Sequence, residues 1–75
     1  MNIKRIIGDN IRGYRNRLDW SQEKLAVRAK MHNDYLGRLE RGVQNASIDS
    51  LFKIAKALGV APYKLWIEDS YKREK

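Results

Sequence analysis

The sequence predicts an all-α fold, five short helices packed as one small domain. Three observations predict it. Apolar residues recur at three- and four-residue steps through most of the chain. No stretch alternates between apolar and polar strongly enough to read as a strand. Start and stop residues punctuate the chain, with Ser21 and Ser47 as N-caps, Gly42 and Gly59 as stops and Pro62 in a first turn.

Ile3 to Leu18 reads as the first helix, with Ile3, Ile7, Ile11, Tyr14 and Leu18 forming one apolar stripe. Gly8 and Gly13 weaken it by about 1 kcal/mol each relative to Ala. Asp19 follows where a left-handed cap residue suits. Ser21 opens a second helix from about Gln22 to Ala29; Glu23 suits the helix dipole, whereas Lys24 stands where a reciprocal capping box wants Glu or Gln. The third helix begins near Asn33 and ends at Gly42, and Val43 to Ala46 is a loop. Ser47 caps a fourth helix with Asp49 in its first turn and Ile48, Leu51, Ile54, Ala55 and Leu58 on one face; Phe52 lies off that stripe. Pro62 opens a short fifth helix carrying Tyr63, Leu65, Trp66 and Ile67. Residues 1–68 are expected to form the domain and residues 69–75 a charged tail that frays.

Composition narrows the function classes. At 75 residues there is room for one domain and one small core, so self-association is the expected source of extra stability. The absence of cysteine removes disulfides and fits a reducing compartment, and one histidine leaves almost nothing from which to build a metal site. No nucleophile–base pair, carboxylate pair or phosphate-cradling glycine loop is visible, so no enzyme, metal or cofactor is expected. No apolar run approaches the ~20 residues of a membrane span. The opening MNIKRIIGDN lacks the apolar region and cleavage site of a signal peptide. The net charge of +7 favours a polyanion, and composition alone does not choose among DNA, RNA and an acidic membrane face.

The stretch Gln22–Arg41 organises the rest. Leu25, Ala26 and Ala29 fall at helical spacing, as do Leu36 and Leu39, with Met31 in the break. Left outward on the second of these two helices are His32, Asn33, Asp34, Gly37, Arg38 and Arg41. That polar, partly basic face on a short helix is the pattern of a helix that enters a DNA groove. An ordered set of residues then carries a resemblance: Ile11, Arg12 and Arg15; Trp20, Ser21, Gln22 and Glu23 with Leu25 and Ala26; Tyr35 and Leu36; Arg38, Leu39, Glu40, Arg41 and Gly42; Asn45, Ser47, Leu51, Ile54, Ala55, Ala57, Leu58, Gly59 and Val60. With this spacing the chain resembles the lambda repressor and Cro-like helix-turn-helix domains, the XRE family, over roughly residues 7 to 66. The resemblance implies a compact five-helix, lambda-repressor-like DNA-binding domain with its helix-turn-helix at about residues 22–41. Three positions depart from the family pattern and bear on how the third helix enters the groove. Lys30 stands for the usual turn glycine, His32 for a small N-cap, and Ala46 for the proline before Ser47.

Base reading is expected near the start of the third helix. Asn33 can pair bidentately with adenine, or cap the helix instead; Arg38, one to two turns on, can pair bidentately with guanine. Asp34 either accepts from cytosine N4 or only stabilises the helix N-terminus, and His32 borders the same edge. Close approach to DNA would explain Gly37, as would tolerance at an exposed site. The resemblance implies a phosphate contact from Gln22. Arg41, Gln44 and Asn45 are expected at the other edge as further phosphate contacts, joined by Lys30. It also implies an ion pair between Arg15 and Glu40 that holds the third helix on the first. It implies a homodimer through Pro62, Tyr63, Trp66 and Ile67, although Tyr63 and Trp66 could instead complete the core.

The expected function is that of a sequence-specific, double-stranded-DNA-binding transcriptional regulator, a repressor that binds an inverted-repeat operator as a homodimer. It is expected in the cytoplasm, bacterial or phage-encoded and associated with the nucleoid. Activation would require a contact with RNA polymerase. Two rivals stand beside this reading. One is an antitoxin that binds a toxin protein and autoregulates its operon; the other is a protein-interaction module without a DNA role, marked by weak, salt-insensitive DNA binding.

Overall fold

The computed structural model describes residues 2–73. Its elements are α1 (Ile3–Arg17), α2 (Gln22–Arg28), α3 (Asn33–Glu40), α4 (Ile48–Leu58), a 3-10 turn (Pro62–Leu65) and α5 (Ser70–Arg73), with no strand among the described residues. α3 packs on α1 and α2, α4 packs on α2 and the 3-10 turn, and α1 also meets α5. Ile11, Leu25, Leu36, Leu39, Ile54 and Leu65 are fully buried at the centre of one continuous core. Each contributes roughly 1.5–3 kcal/mol by leaving water. No helix among the described residues is long and apolar enough to cross a membrane.

Local chemistry explains where the helices start. Asn2, Ser21, His32 and Ser47 are the N-caps, and each side chain accepts from a backbone N–H of the first turn. The Ser21 hydroxyl takes Lys24 N–H at 3.0 Å, and the Ser47 hydroxyl takes Ser50 N–H at 3.1 Å. His32, a poor cap by type, caps with Nδ1, which accepts from Asp34 N–H at 3.2 Å.

The first four helices end alike. A left-handed residue follows the last turn, and paired backbone bonds return to the preceding carbonyls. At α2, Lys30 has φ 56°; Lys30 N–H bonds Val27 C=O at 3.1 Å and Met31 N–H bonds Ala26 C=O at 3.0 Å. Asp19 (φ 59°), Gly42 (φ 74°) and Gly59 (φ 76°) play the same part after α1, α3 and α4. Lys30 therefore adopts the conformation that the family usually gives to glycine, at a cost of about 1 kcal/mol, and the turn keeps its shape.

Three sequence expectations change. The apolar stripe of α1 is rotated. Ile3 and Leu18 are 44% and 43% exposed, whereas Ile6 and Asn10 are buried. The helix is longer than the core beneath it, so its ends overhang. Asn10 enters because its amide has partners: Nδ2 donates to the carbonyls of Leu65 at 2.9 Å and Ile67 at 2.8 Å. Ile48 likewise sits at the exposed start of α4, 74% exposed, rather than on its buried face. The fifth element is a 3-10 turn that stops at Leu65, short of Trp66 and Ile67.

The chain after Ile67 is not frayed as far as Arg73. Asp69 turns it with φ 57°, and α5 lies on α1. The Ser70 hydroxyl is buried 2.8 Å from Tyr14 Oη, the Tyr71 ring stands edge-on to Tyr14, and Arg17 donates to the Tyr71 carbonyl at 3.2 Å. Gly13 makes this possible: a Cβ there would fall 2.2 Å from the Tyr71 ring. Glu74 and Lys75, the rest of the expected tail, lie outside the described residues. Gly8 has a similar reason, since a Cβ would come 2.5 Å from Leu39 O and 2.7 Å from Glu40 O. The bare backbone lets α1 touch the end of α3, which offsets the helix-propensity cost at that position.

Candidate nucleic-acid interface

α3 presents His32, Asn33, Asp34 and Arg38 as exposed side chains, while Leu36 and Leu39 anchor it in the core. An element of eight residues has little intrinsic helical stability, so its direction is set by what holds it. To that packing an ion pair adds a directional hold. Arg15 Nε and Nη2 donate to Glu40 Oε2 and Oε1, both at 2.8 Å, and Arg15 Nη1 donates to the Trp20 carbonyl at 2.8 Å. The side chains are only 12% and 1% exposed. This fork ties α1, the loop before α2 and the end of α3 at one point.

The hydrogen bond to Glu40, opposed by burial and helped by the Glu40 charge, raises the Arg15 guanidinium above its ordinary value. The sign follows from linkage. A raised value in the folded state gives stability that is fully present below the unfolded value and is lost only above it, so this arginine contributes a constant amount through the neutral range.

Gln22, expected at a phosphate, is drawn into the same network. Its Nε2 donates to Glu40 Oε1 at 3.1 Å. The amide nitrogen carries a second hydrogen, so a further acceptor can still be met. Gly37 is buried rather than outward. A Cβ on it would stand 3.3 Å from Arg41 Nη1 and 3.5 Å from Gln22 Oε1, so the protein's own side chains cover it. Arg41 therefore lies beside Gln22, not apart from it at the opposite edge with Gln44 and Asn45.

Gln44 and Asn45 do border α3. Arg38 Nε donates to Gln44 Oε1 at 3.2 Å, and Gln44 Nε2 approaches the Asn45 carbonyl at 3.5 Å. Tyr35 is a site residue that the sequence reading left unassigned. Its hydroxyl donates to the Asn45 carbonyl at 3.4 Å and accepts Ser47 N–H at 3.4 Å, pinning the loop between α3 and α4. Burial pushes the Tyr35 phenol up, but hydrogen bonds from Ser50 and Ser47 and the charge of Arg38 outweigh it and leave the group below its usual value. The position of Tyr35, one residue before the buried Leu36, was the available signal.

Lys30 stands elsewhere. It lines a cleft between α2 and α4 with Arg28, Lys53 and Lys56, and is not brought to Arg41, Gln44 and Asn45. Arg28 and Lys24 lie over the Trp20 ring, 5.1 and 5.3 Å from its centroid. Phe52 (54%), Tyr63 (51%), Trp66 (41%) and Ile67 (39%) are exposed. Phe52, Val60 and Pro62 line an apolar groove with Lys53 and Lys56, next to the Lys30 cleft, and neither Tyr63 nor Trp66 belongs to the core.

The two short helices, their left-handed turn and the outward face of the second have the geometry of a helix-turn-helix unit, and residues 11–65 match the helix-turn-helix family. The chain belongs to that family. This helix-turn-helix chain is 39% identical over 74 residues to Control protein C.SmaI from Serratia marcescens, covering 99% of this chain and 88% of the relative. It is 43% identical over 65 residues to Control protein C.BamHI from Bacillus amyloliquefaciens, covering 85% and 80%. Among solved structures it superposes on the restriction-modification controller protein C.AhdI from Aeromonas hydrophila with a TM-score of 0.80 and 34% identity, covering 83% of this chain and 94% of that one.

Proposed function

We propose that this helix-turn-helix chain is a sequence-specific DNA-binding regulator of transcription that binds an inverted repeat as a homodimer. The observation that carries the proposal is an exposed polar face on α3, held rigidly on α1 by a buried bidentate ion pair. Rigid presentation is what base reading needs, because each hydrogen bond to a base edge has a narrow geometry. In this reading Asn33 and Arg38 read bases, with His32 and Asp34 at the same edge. Gln22 and Arg41, together over Gly37, position the duplex through phosphates. Phe52, Tyr63, Trp66 and Ile67 give the second copy an apolar surface to cover.

The relatives named as control proteins and the controller protein C.AhdI support a narrower proposal, that the regulated genes belong to a restriction–modification system. A regulator of this kind acts in the cytoplasm on the nucleoid, represses by occluding a promoter and requires no cofactor.

Selection from a random duplex library by the purified chain tests the function. The expected product is an inverted repeat whose half-sites lie about 34 Å apart, one turn of DNA, with binding that weakens steeply as salt rises. Uniform, salt-insensitive binding with no enriched sequence would instead identify a protein-interaction module.

A further inference from the structure

Arg15 and Arg38 are held in different ways. Arg15 is neutralised by a buried carboxylate. Arg38 is held by a neutral amide, Gln44, through its Nε, and among the described residues no carboxylate pairs with it. A carboxamide can orient a guanidinium without cancelling its charge, and it adds no negative charge beside a polyanion.

The loop that carries Gln44 is fixed on both sides. Before it, Val43 N–H bonds the Arg38 carbonyl at 3.2 Å, a closure made through Gly42 at φ 74°. After it, the Tyr35 hydroxyl bridges the Asn45 carbonyl and Ser47 N–H, and Ser47 in turn caps α4. Gln44 is half-buried, so its backbone has little room to drift relative to Arg38. The amide's acceptor is turned toward Arg38 Nε, and Nε2 toward the loop's own carbonyl. With Nε occupied, the free edge of the guanidinium is its two terminal nitrogens, which match the O6 and N7 acceptors of guanine.

We propose that Gln44 is a specificity-determining support rather than a phosphate contact: it orients Arg38 so that the guanidinium meets one base pair end-on. The proposal rests on the reading of Arg38 as a base reader, and the experiment separates the two. The 75-residue chain and its Arg38→Ala, Gln44→Ala, Gln44→Glu and double Ala variants are titrated against the selected operator and all its single-base-pair substitutions. Circular dichroism confirms the folded state of each.

Arg38→Ala should lower discrimination at one base pair by about tenfold or more. Gln44→Ala should lower discrimination at that same base pair by about threefold or more, leaving the other positions as in the parent. In the Arg38→Ala background, Gln44→Ala should add nothing at that position, the signature of two residues acting as one unit. Gln44→Glu keeps the acceptor, so the preference at that base pair should survive while affinity for every sequence falls. A uniform loss across all sequences from Gln44→Ala would overturn the proposal and return Gln44 to phosphate contact. Lost discrimination at a different base pair would overturn it too, as a base contact of Gln44 itself. If Arg38→Ala changes no preference, Arg38 is not a reader and the proposal falls with that reading. If Arg38→Ala changes one and Gln44→Ala does not, only the support fails.

Discussion

α3 and the 3-10 turn are both short elements seated on α1, and they are held by opposite means. α3 is locked by charge and by close backbone approach, through the Arg15–Glu40 fork, the Gln22 bond to Glu40 and the bare α1 backbone at Gly8. The 3-10 turn is held by one neutral amide, Asn10, which takes the carbonyls of Leu65 and Ile67, and by the single buried side chain of Leu65. The difference follows from what each element presents. Directional charge fixes an angle, which an element presenting polar readers needs. The 3-10 turn and the two residues after it leave Tyr63, Trp66 and Ile67 exposed, and apolar surface of that kind tolerates adjustment when it is covered.

The contrast can be broken at either end. The largest effect is expected from Glu40→Ala, which strands a largely buried guanidinium. Urea unfolding should show a loss of about 3–5 kcal/mol, and an Arg15→Met, Glu40→Leu double variant should recover much of it. A loss below about 1 kcal/mol would mean that the pair behaves as an exposed one and that packing alone sets α3. Asn10→Ala comes next. It leaves two carbonyls without their donor, for about 1–3 kcal/mol, and hydrogen exchange should quicken across residues 62–67 but not across α3. Equal loosening in both regions would show that the two anchors are coupled.

Trp66→Ala should cost the monomer less than about 1 kcal/mol, because the side chain is outside the core. In sedimentation it should nevertheless move the proposed homodimer toward monomer; an unchanged sedimentation profile would remove Trp66 from the proposed interface. The smallest effect carries the opposite sign. Lys30→Gly relieves the left-handed backbone and should raise stability by about 0.5–1 kcal/mol, reduced by the extra freedom of glycine in the unfolded chain. The same variant sorts the role of Lys30. A salt dependence shallower by about one charge marks a phosphate contact, and an unchanged slope marks a turn residue alone.

Much of the fold was legible because helix ends are local affairs. Ser21, Ser47, Gly42 and Gly59 act on backbone groups within a few residues, so their effect can be read along the chain. The rotation of α1 was not legible. A stripe of isoleucines specifies a face, but not how much of a 15-residue helix a small core can cover. Asn10 was not legible as a core residue because its partners lie 55 and 57 positions away. Ser70 and Tyr71 read as part of a charged tail because the niche they fill is made by a missing side chain at Gly13.

By itself, then, the sequence determined the helix-turn-helix unit: two short helices, a break between them and a polar outer face, all encoded in apolar spacing and caps; the left-handed form of the break at Lys30 came from the structure. Only the tertiary structure decided the partners of its polar side chains, Gln22 on Glu40, Arg41 over Gly37 beside it, and Arg38 on Gln44. Local backbone preferences act between neighbours in the chain. A side-chain hydrogen bond depends on where two separate elements come to rest, to within a few tenths of an ångström, and packing sets that distance.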